Sequence, residues 1–374
     1  MPRIEGIALY QIVGEHDDIV APDARSGILP PRVRDRVLVL MAEDGAQGVT
    51  TVPGTDSPAT EADLGWLIDK EPRSLFAWEN ERVAGIADPY SKVLGACPTV
   101  DVALLDLCAK EAQRPLWSLL GAKCRQDIPV YDSSAHFEDL VEPGAGVAAV
   151  AARARAAVDR GFRAVKVHVG RGYRWMPWPE STDRDVEACK AVRAAVGDSV
   201  DLILDASGGY AGYVEDAADL LAEVGDCRIA FAADVVDRSE IDALRRALGS
   251  RAIRVPLAAA PAASWIDVHN ASADEVWPDI VETYPGRIGI LGWLRLARQA
   301  ASRGCRMTCK AAGSFVALQL GLHLSAVTPH CIICEYPDVS YPATLRCEAM
   351  VADGSVHIPE APGLGIHSID PRSP

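Results

Sequence analysis

The chain has 374 residues, of which 49% are apolar, and it carries a formal net charge of −15. That length exceeds one average domain and allows a large core with a smaller companion domain. The acidic balance, with no basic cluster, argues against nucleic acid or an anionic membrane as a partner, and no apolar run approaches the ~20 residues of a membrane helix.

The opening stretch MPRIEGIALYQIV interrupts its apolar residues with polar ones, which is not typical of a secretory signal peptide. Ten cysteines are scattered along the chain, as expected of reduced thiols in a cytoplasmic protein. Cys331 and Cys334 have the spacing of a metal site, but HCIICEY is typical of a strand. Residues three apart on a strand point to opposite faces, so we expect neither a zinc nor a redox site there.

The N-terminal part has the pattern of a small α+β domain. Residues 3–13 and 36–53 have strand character, and the second stretch turns at Glu43-Asp44-Gly45, a hairpin signal. The segment 14–31 between them is rich in Pro, Gly and Asp, which predicts a mobile lid. Residues 60–120 have a mostly helical pattern that stops at Gly121.

From Ile128 onward, short apolar strands alternate with amphipathic helices. Seven or eight such units predict a parallel (β/α)₈-type barrel. A doubly wound open sheet is the alternative, although no GxGxxG or GxxxxGK[ST] fingerprint follows any of the strands.

The stretch GFRAVKVHVG predicts a buried strand whose Lys166 and His168 share one face. In a barrel, the chemistry lies at the carboxyl ends of the strands. Polar residues are expected at several of these ends: Lys166, His168, Asp205, Ser207, Asp234, Glu282, Tyr284, Lys310 and Glu335. Each one alone could be structural, as a helix cap or a buried charge partner. Together they have the composition of an acid–base site.

The chain resembles the enolase superfamily, in its mandelate racemase and muconate lactonizing enzyme branch, over nearly its whole length. The matching stretches are VDVALLDLCAKEAQRPLWSLLGAK, GFRAVKVHVGRG, RDVEACKAVRAAVGDSVDLILDASGGY, HLSAVTP and DGSVHIPEAPGLGI. This resemblance implies an α+β capping domain at 1–125, a (β/α)₇β barrel at 126–345, and a segment at 346–374 that returns to the capping domain. It also implies a homo-oligomer, a small-molecule carboxylate substrate, and Mg²⁺ held by three carboxylates.

The metal-ligand positions that the resemblance implies are only partly kept. The first is Asp205, the second falls on Ala232, and the third falls on Pro261. Alanine and proline side chains cannot bind Mg²⁺, which requires near-octahedral oxygen coordination. Asp234 is the carboxylate that could assist Asp205, so we expect a degenerate metal site.

The proton-transfer residues that the resemblance implies are altered as well. The family's Lys-x-Lys is Lys166-Val167-His168, its His after the seventh strand is Lys310, and the Asp that orients that His is Tyr284. Glu335 keeps the eighth-strand position. We therefore expect Lys166 and His168 on one flank of the site and Lys310 with Tyr284 on the other.

Three functions remain open from the sequence. In the first, the protein is a lyase or isomerase (dehydratase, epimerase, racemase or cycloisomerase) in which Lys166 and Lys310 replace metal charge and His168 moves the proton. In the second, it is a catalytically silent homologue acting as a binding or assembly subunit. In the third, one of the two lysines forms a Schiff base with a carbonyl substrate. The resemblance implies that the loops 14–31 and 50–59 border the substrate. The insert 171–182 either lies over the pocket mouth or is a packed surface loop.

Overall fold

The computed structural model describes residues 2–16, 19–52, 64–142, 144–260, 276–311, 313–341, 350–367 and 369. The N-terminal domain contains an antiparallel sheet of β1 (Ile4–Glu15), β2 (Arg32–Ala42) and β3 (Gln47–Thr51), in that order. Leu38 and Leu40 of β2 are fully buried in its core. The predicted hairpin joins β2 to β3. The predicted loop 50–59 lies outside the described residues from position 53 onward.

The region 60–120 contains a hairpin that the helical pattern did not predict. Strands β4 (Phe76–Glu79) and β5 (Arg82–Ile86) pair antiparallel. Their turn residues Asn80 and Glu81 both have positive φ, 47° and 65°. Two positive φ values suit a hairpin turn, but Asn-Glu is a much weaker signal of one than Asn-Gly. Helices α1 (Ser91–Ala96), α2 (Val100–Glu111) and α3 (Trp117–Leu120) follow.

Eight parallel strands form the second domain, and the last pairs with the first, so the sheet is a closed barrel. This closure confirms the predicted barrel and excludes the open doubly wound sheet. The strands are β6 (Asp127–Ala135), β7 (Ala164–His168), β8 (Asp201–Asp205), β9 (Ile229–Ala233), β10 (Leu257–Ala259), β11 (Ile280–Thr283), β12 (Arg306–Cys309) and β13 (Cys331–Tyr336).

Helices connect the barrel strands and cover their outer surface. They are α4 (Glu138–Val141), α5 (Val147–Asp159), α6 (Glu180–Val196), α7 (Val214–Glu223), α8 (Ile241–Ser250), α9 (Pro285–Ser302) and α10 (Phe315–Ala326). The less clear helix expected between β10 and β11 falls at 261–275, outside the described residues. In the described parts of the chain, no helix combines the length and the apolar character needed to cross a membrane.

The barrel interior has an apolar layer below a charged one. Ala164, Ile203 and Ile280 belong to an interior apolar cluster. Two residues further along the same strands come Lys166, Asp205 and Glu282. Because side chains alternate along a strand, these residues lie on the same face one step nearer the carboxyl end. The strand pattern therefore places the charged layer at the end where barrels carry their sites.

The side chains of Cys331 and Cys334 do not point to opposite faces of the strand, as the sequence predicted. Both thiols are buried, and their Sγ atoms lie 3.2 Å and 3.0 Å from the same Ser325 Oγ on α10. The pairing of β12 with β13 shifts register here, which inserts one extra residue into β13. Such a bulge changes the alternation. The prediction that the two side chains face opposite sides was therefore wrong.

The C-terminal residues contact both domains. Strands β14 (Val351–Ala352) and β15 (Ser355–His357) form a hairpin, and β15 pairs antiparallel with the start of β6. Further on, the Leu364 N–H donates to Asp106 Oδ1 at 2.7 Å, and Asp106 lies in α2 of the capping domain. These hydrogen bonds join the end of the chain to the barrel and to the capping domain.

Candidate active site

Lys166 forms a buried ion-pair triad with carboxylates from two other strands. Its Nζ lies 3.1 Å from Asp205 Oδ2 on β8 and 3.2 Å from Glu335 Oε1 on β13. Glu335 is fixed in turn, because its Oε2 accepts the Ala311 N–H at 2.8 Å. The structure thus brings together three of the residues predicted from strand ends.

Lys310 lies across the barrel mouth, within reach of three carboxylates. Its Nζ is 2.9 Å from Glu282 Oε2, 3.4 Å from Asp234 Oδ2 and 4.0 Å from Asp205 Oδ2. Since Asp205 Oδ2 also contacts Lys166, this one oxygen connects the two ammonium groups. The charged layer is therefore a single network and not two separate flanks.

Mutual charge keeps the centre of the network ionised. Burial by itself would lower the pKa of Lys166, but Glu335 and Asp205 outweigh burial and raise that pKa well above its ordinary value. The pKa of Lys310 is also raised, because Glu282 and Asp205 outweigh its burial. For Asp205, burial would raise the pKa, yet Lys166 and Lys310 lower it. At neutral pH both amines are ammonium ions and Asp205 is a carboxylate.

Glu282 behaves differently, although it touches Lys310. It is fully buried. Burial raises the pKa of this carboxyl from 4.5 to about 7, against the opposing effect of Lys310 and Lys166. A carboxyl group with such a pKa is partly protonated at neutral pH. The network therefore contains one member whose charge changes within the physiological range.

His168 is buried next to a second histidine. It is 5% exposed, and its ring lies face to face with that of His136, with centroids 4.2 Å apart and planes 9° apart. Neither ring nitrogen of His168 has a hydrogen-bond partner among the described residues. Burial, followed by the neighbouring His136, lowers the pKa of His168 well below its ordinary value. His168 is therefore a neutral imidazole at pH 7.

His136 and Glu138 follow β6 at the end of the first barrel strand. His136 Nδ1 lies 3.0 Å from the Ser134 carbonyl oxygen, so the ring carries its proton on Nδ1 and leaves Nε2 as an acceptor. The His136 backbone N–H donates to Glu138 Oε1 at 3.1 Å. The predicted set of strand-end residues began at the second strand and so contained neither residue. The available signal was His136, which directly follows the last residue of β6.

These groups surround a cavity of about 360 Å³. Its walls include His136, Glu138, Lys166, His168 and Lys310, together with part of the capping domain. The cavity is large enough for a small organic acid.

Of the predicted lid 14–31, Gly14 and Glu15 belong to β1, and the segment 19–31 is attached to the barrel loops. Arg25 Nε–H donates to the Ser207 carbonyl oxygen. The Trp175 indole N–H donates to the Asp23 carbonyl oxygen at 2.7 Å. Trp175 belongs to the insert 171–182, so the insert packs against the lid, although none of its residues lines the cavity.

The described donor set does not fit the Mg²⁺ site that the resemblance implied. Asp205 Oδ1 accepts the Ser207 N–H at 2.9 Å, and its Oδ2 contacts both ammonium groups. Asp234 Oδ2 also contacts Lys310. On β9, Ala233 faces the barrel interior, whereas Ala232 packs in the core outside the barrel. The second ligand position therefore falls on Ala233 and not on Ala232, and alanine cannot bind a metal at either place. Pro261 lies outside the described residues. Lys310 Nζ thus provides the positive charge between the carboxylates.

Asp23, His136 and His168 form the one described cluster with potential metal-ligand atoms close together, all within 4.8 Å of one another. An imidazole binds a metal along a lone pair that lies in its ring plane. Because the two ring planes are nearly parallel, their lone pairs do not converge on one point. The cluster as folded is therefore suited to proton chemistry and not to metal coordination.

Tyr284 does not join the site. Its Oη lies 3.4 Å from Thr51 Oγ1 of the capping domain, and Glu282, two residues earlier, is the residue that contacts Lys310. The backbone leaves the strand after Thr283, which directs Tyr284 toward the capping domain. The predicted pairing of Lys310 with Tyr284 is therefore replaced by a pairing of Lys310 with Glu282.

The fold and the strand-end site define a capped barrel with acid–base groups at its mouth. The family model described as "Enolase C-terminal domain-like" matches residues 149–372. The chain belongs to the enolase superfamily, in the branch that resembles mandelate racemase and muconate lactonizing enzyme.

Curated relatives are a cycloisomerase and several dehydratases and epimerases. The chain is 26% identical to D-galactarolactone cycloisomerase of Agrobacterium fabrum over 355 residues, covering 89% of each chain. It is 26% identical to D-gluconate dehydratase of Thermoproteus tenax over 281 residues, covering 72% of this chain and 54% of that protein.

Solved structures agree on the fold. Galacturonate dehydratase from Geobacillus sp., complexed with D-galacturonate and 5-keto-4-deoxy-D-galacturonate, superposes with a TM-score of 0.81 at 22% identity, covering 98% of this chain and 94% of that one. The Enterococcus faecalis dipeptide epimerase, complexed with Mg and a dipeptide, gives a TM-score of 0.73 at 20% identity, covering 98% and 100% of the two chains. Both matches confirm the capping domain and barrel.

Proposed function

We propose that the protein is a lyase that needs no Mg²⁺. It removes the α-proton of a small polar carboxylic acid of the sugar-acid type and expels an oxygen from the neighbouring carbon. The chemistry of the named relatives, which are dehydratases, epimerases and a cycloisomerase, supports acid–base chemistry of this kind. Elimination rather than racemisation, and independence of metal, are argued from the site of this chain.

One observation carries the choice of elimination: the two sides of the cavity differ in protonation. His168 is a neutral, unpaired base on one side. On the other side, Lys310 is held as an ammonium ion by its carboxylates. Racemisation requires proton carriers on both faces of the substrate carbon. An ammonium ion with a raised pKa supplies charge but is a poor proton carrier, so this site favours a lyase.

The mechanism follows from these roles. The substrate carboxylate lies toward Lys166 and Lys310, and His168 accepts the α-proton. The charge that develops on the carboxylate oxygens is stabilised by the ammonium groups, which are already held in position by their ion pairs. The imidazolium formed on His168 is stabilised by the nearby Asp205 carboxylate, which favours the charged ring.

The two other functions have less support from the site. A Schiff base requires an uncharged amine. Both lysines have raised pKa values and are held in ion pairs. A silent homologue would have no need for a buried ammonium–carboxylate network, since replacing such a network with apolar residues is often stabilising.

Proton exchange in D₂O tests the proposal. The protein is purified in EDTA and incubated with a panel of aldonic, aldaric and uronic acids and their lactones, and exchange and product formation are followed by NMR. We expect exchange at the α-carbon and loss of water with at least one acid. His168→Ala should lower both rates by at least about 100-fold, the range of general-base catalysis.

His357→Ala is the matched control, because His357 is exposed on β15 at the opposite end of the barrel. This variant should keep the wild-type rates. Absence of exchange across the whole panel would refute the proposed enzymatic activity and favour a catalytically silent homologue. Activity that appears only when Mg²⁺ is added would refute metal independence.

A further inference from the structure

Glu138 is an unexplained carboxyl group in the wall of the cavity. It begins α4 immediately after the first barrel strand, and its Oε1 accepts the His136 N–H at 3.1 Å. Its other oxygen, Oε2, is buried and has no hydrogen-bond partner among the described residues. Leaving a buried polar atom unpaired is costly, and Glu138 also lines the cavity, so this carboxyl group is a candidate for a function there.

The charged groups nearest to Glu138 are engaged elsewhere. Arg153 on α5 bridges to Asp338 at 2.5 Å. Arg171, in the loop after β7, bridges to Asp139 and Asp185. Burial raises the pKa of Glu138 from 4.5 to about 7, and the backbone N–H groups and the two arginines oppose this only in part. A large fraction of Glu138 therefore carries a proton at neutral pH.

His136 connects Glu138 to the proposed base. Its backbone N–H binds Glu138, and its ring stacks on His168. A proton donor and a proton acceptor therefore stand on the same wall of one cavity, opposite Lys310. Elimination of a hydroxyl group requires two such groups, since hydroxide is a poor leaving group unless it is protonated as it departs.

We infer that Glu138 is the general acid that protonates the departing oxygen. This inference rests on the proposed function and adds a second catalytic residue to it. His168 takes the α-proton, and the electron pair of the broken C–H bond is held in the enediolate. That pair then forms the C=C bond while the C–O bond breaks, and Glu138 gives its proton to the oxygen, which leaves as water. The product is an enol, which becomes a ketone. The remaining imidazolium and carboxylate return to their starting states by exchanging protons with solvent.

The test separates the two proton transfers. Glu138→Gln keeps the shape of the side chain and the acceptor for the His136 N–H but removes the acidic proton. In D₂O this variant should exchange the substrate α-proton at close to the wild-type rate, whereas its elimination rate falls by at least about 100-fold. Glu138→Asp should recover part of the elimination. Glu142→Gln is the control, because Glu142 is exposed one turn further along the same segment and should leave both rates unchanged.

The pH profile gives a second readout. In the wild type, the ratio of the elimination rate to the exchange rate should decline as the pH rises through about 7, because Glu138 must be protonated to act in elimination and has no role in exchange. An unchanged elimination rate in Glu138→Gln would overturn the inference. So would a folded Glu138→Gln variant that loses exchange and elimination together, because that pattern indicates a role in positioning. Absence of exchange in the wild type would instead refute the proposed function, and the inference with it.

Discussion

Glu282→Gln should stabilise the protein at alkaline pH. Glu282 is fully buried, and its pKa is raised from 4.5 to about 7 because burial outweighs the attraction of Lys310 and Lys166. The folded state therefore binds this proton more tightly than the unfolded chain does. Its stabilising contribution is complete below about pH 4.5 and is lost as the pH rises through about 7. The difference between the two pKa values corresponds to about 3 kcal/mol.

Glutamine has nearly the same shape as glutamate but does not titrate. The free energy of unfolding of Glu282→Gln should therefore fall less between pH 5 and pH 8 than that of the wild type, by about 2 to 3 kcal/mol. Urea unfolding followed by circular dichroism at both pH values measures this difference. Glu223→Gln is the control, because Glu223 is exposed at the end of α7 and should leave the pH dependence unchanged.

The reasoning fails if Glu282→Gln has the wild-type pH dependence. It also fails if the variant is less stable than the wild type at pH 8. That result would mean that the attraction between Lys310 and Glu282 exceeds the cost of burying the carboxylate. The comparison requires that the free energy of unfolding depends on urea concentration with the same slope in the wild type and in Glu282→Gln. A changed slope would indicate a changed unfolded or folded state.

Three further changes test other parts of the structure. Lys166→Met leaves Asp205 and Glu335 without their shared ammonium group. Loss of one partner of a buried ion pair should lower the free energy of unfolding, measured in urea, by about 3–5 kcal/mol, and a decrease below about 1 kcal/mol would contradict this. Asp101→Ala removes the carboxylate that accepts two backbone N–H groups of α9, so we expect a loss of about 1–3 kcal/mol measured in the same way, and an unchanged midpoint would refute that role. Dialysis against EDTA should leave the thermal midpoint and the exchange rate unchanged, and a loss restored by Mg²⁺ would contradict metal independence.

The barrel could be predicted from the sequence because its strands and helices are local patterns. Alternation alone placed Lys166 and His168 on one face of a strand, and both line the cavity. The hairpin at Asn80 and Glu81 was missed because its turn residues are not the usual ones. The predicted orientation of the Cys331 side chain was wrong because of a bulge. A bulge depends on the pairing with the neighbouring strand, and the sequence of a single strand does not reveal that pairing.

The site was harder to predict than the fold, because it depends on where each strand stops. Tyr284 and Glu282 are two residues apart, so alternation along a strand predicts that they point the same way. The strand ends at Thr283, however, and only Glu282 lies within it and faces Lys310. His136 and Glu138 lie beyond the end of the first strand, where alternation no longer applies. Their place in the cavity wall is determined by the turn into α4 and by contact with His168, which is distant in the sequence.

In the proposed mechanism two lysines take the place of a divalent ion, which changes what the rest of the site must supply. A bound Mg²⁺ coordinates a substrate oxygen directly and concentrates two charges at one point. Lys166 and Lys310 supply single charges that are already shared with protein carboxylates, so they stabilise a developing oxyanion less strongly. In this proposed mechanism the enediolate intermediate is higher in energy and has to be consumed quickly. Protonation of the leaving oxygen does this, because it lowers the barrier to the next step. A general acid separate from His168 is therefore more necessary in the proposed metal-independent reaction than in one assisted by a metal, which is why a protonated Glu138 in the cavity wall is central to the proposed chemistry.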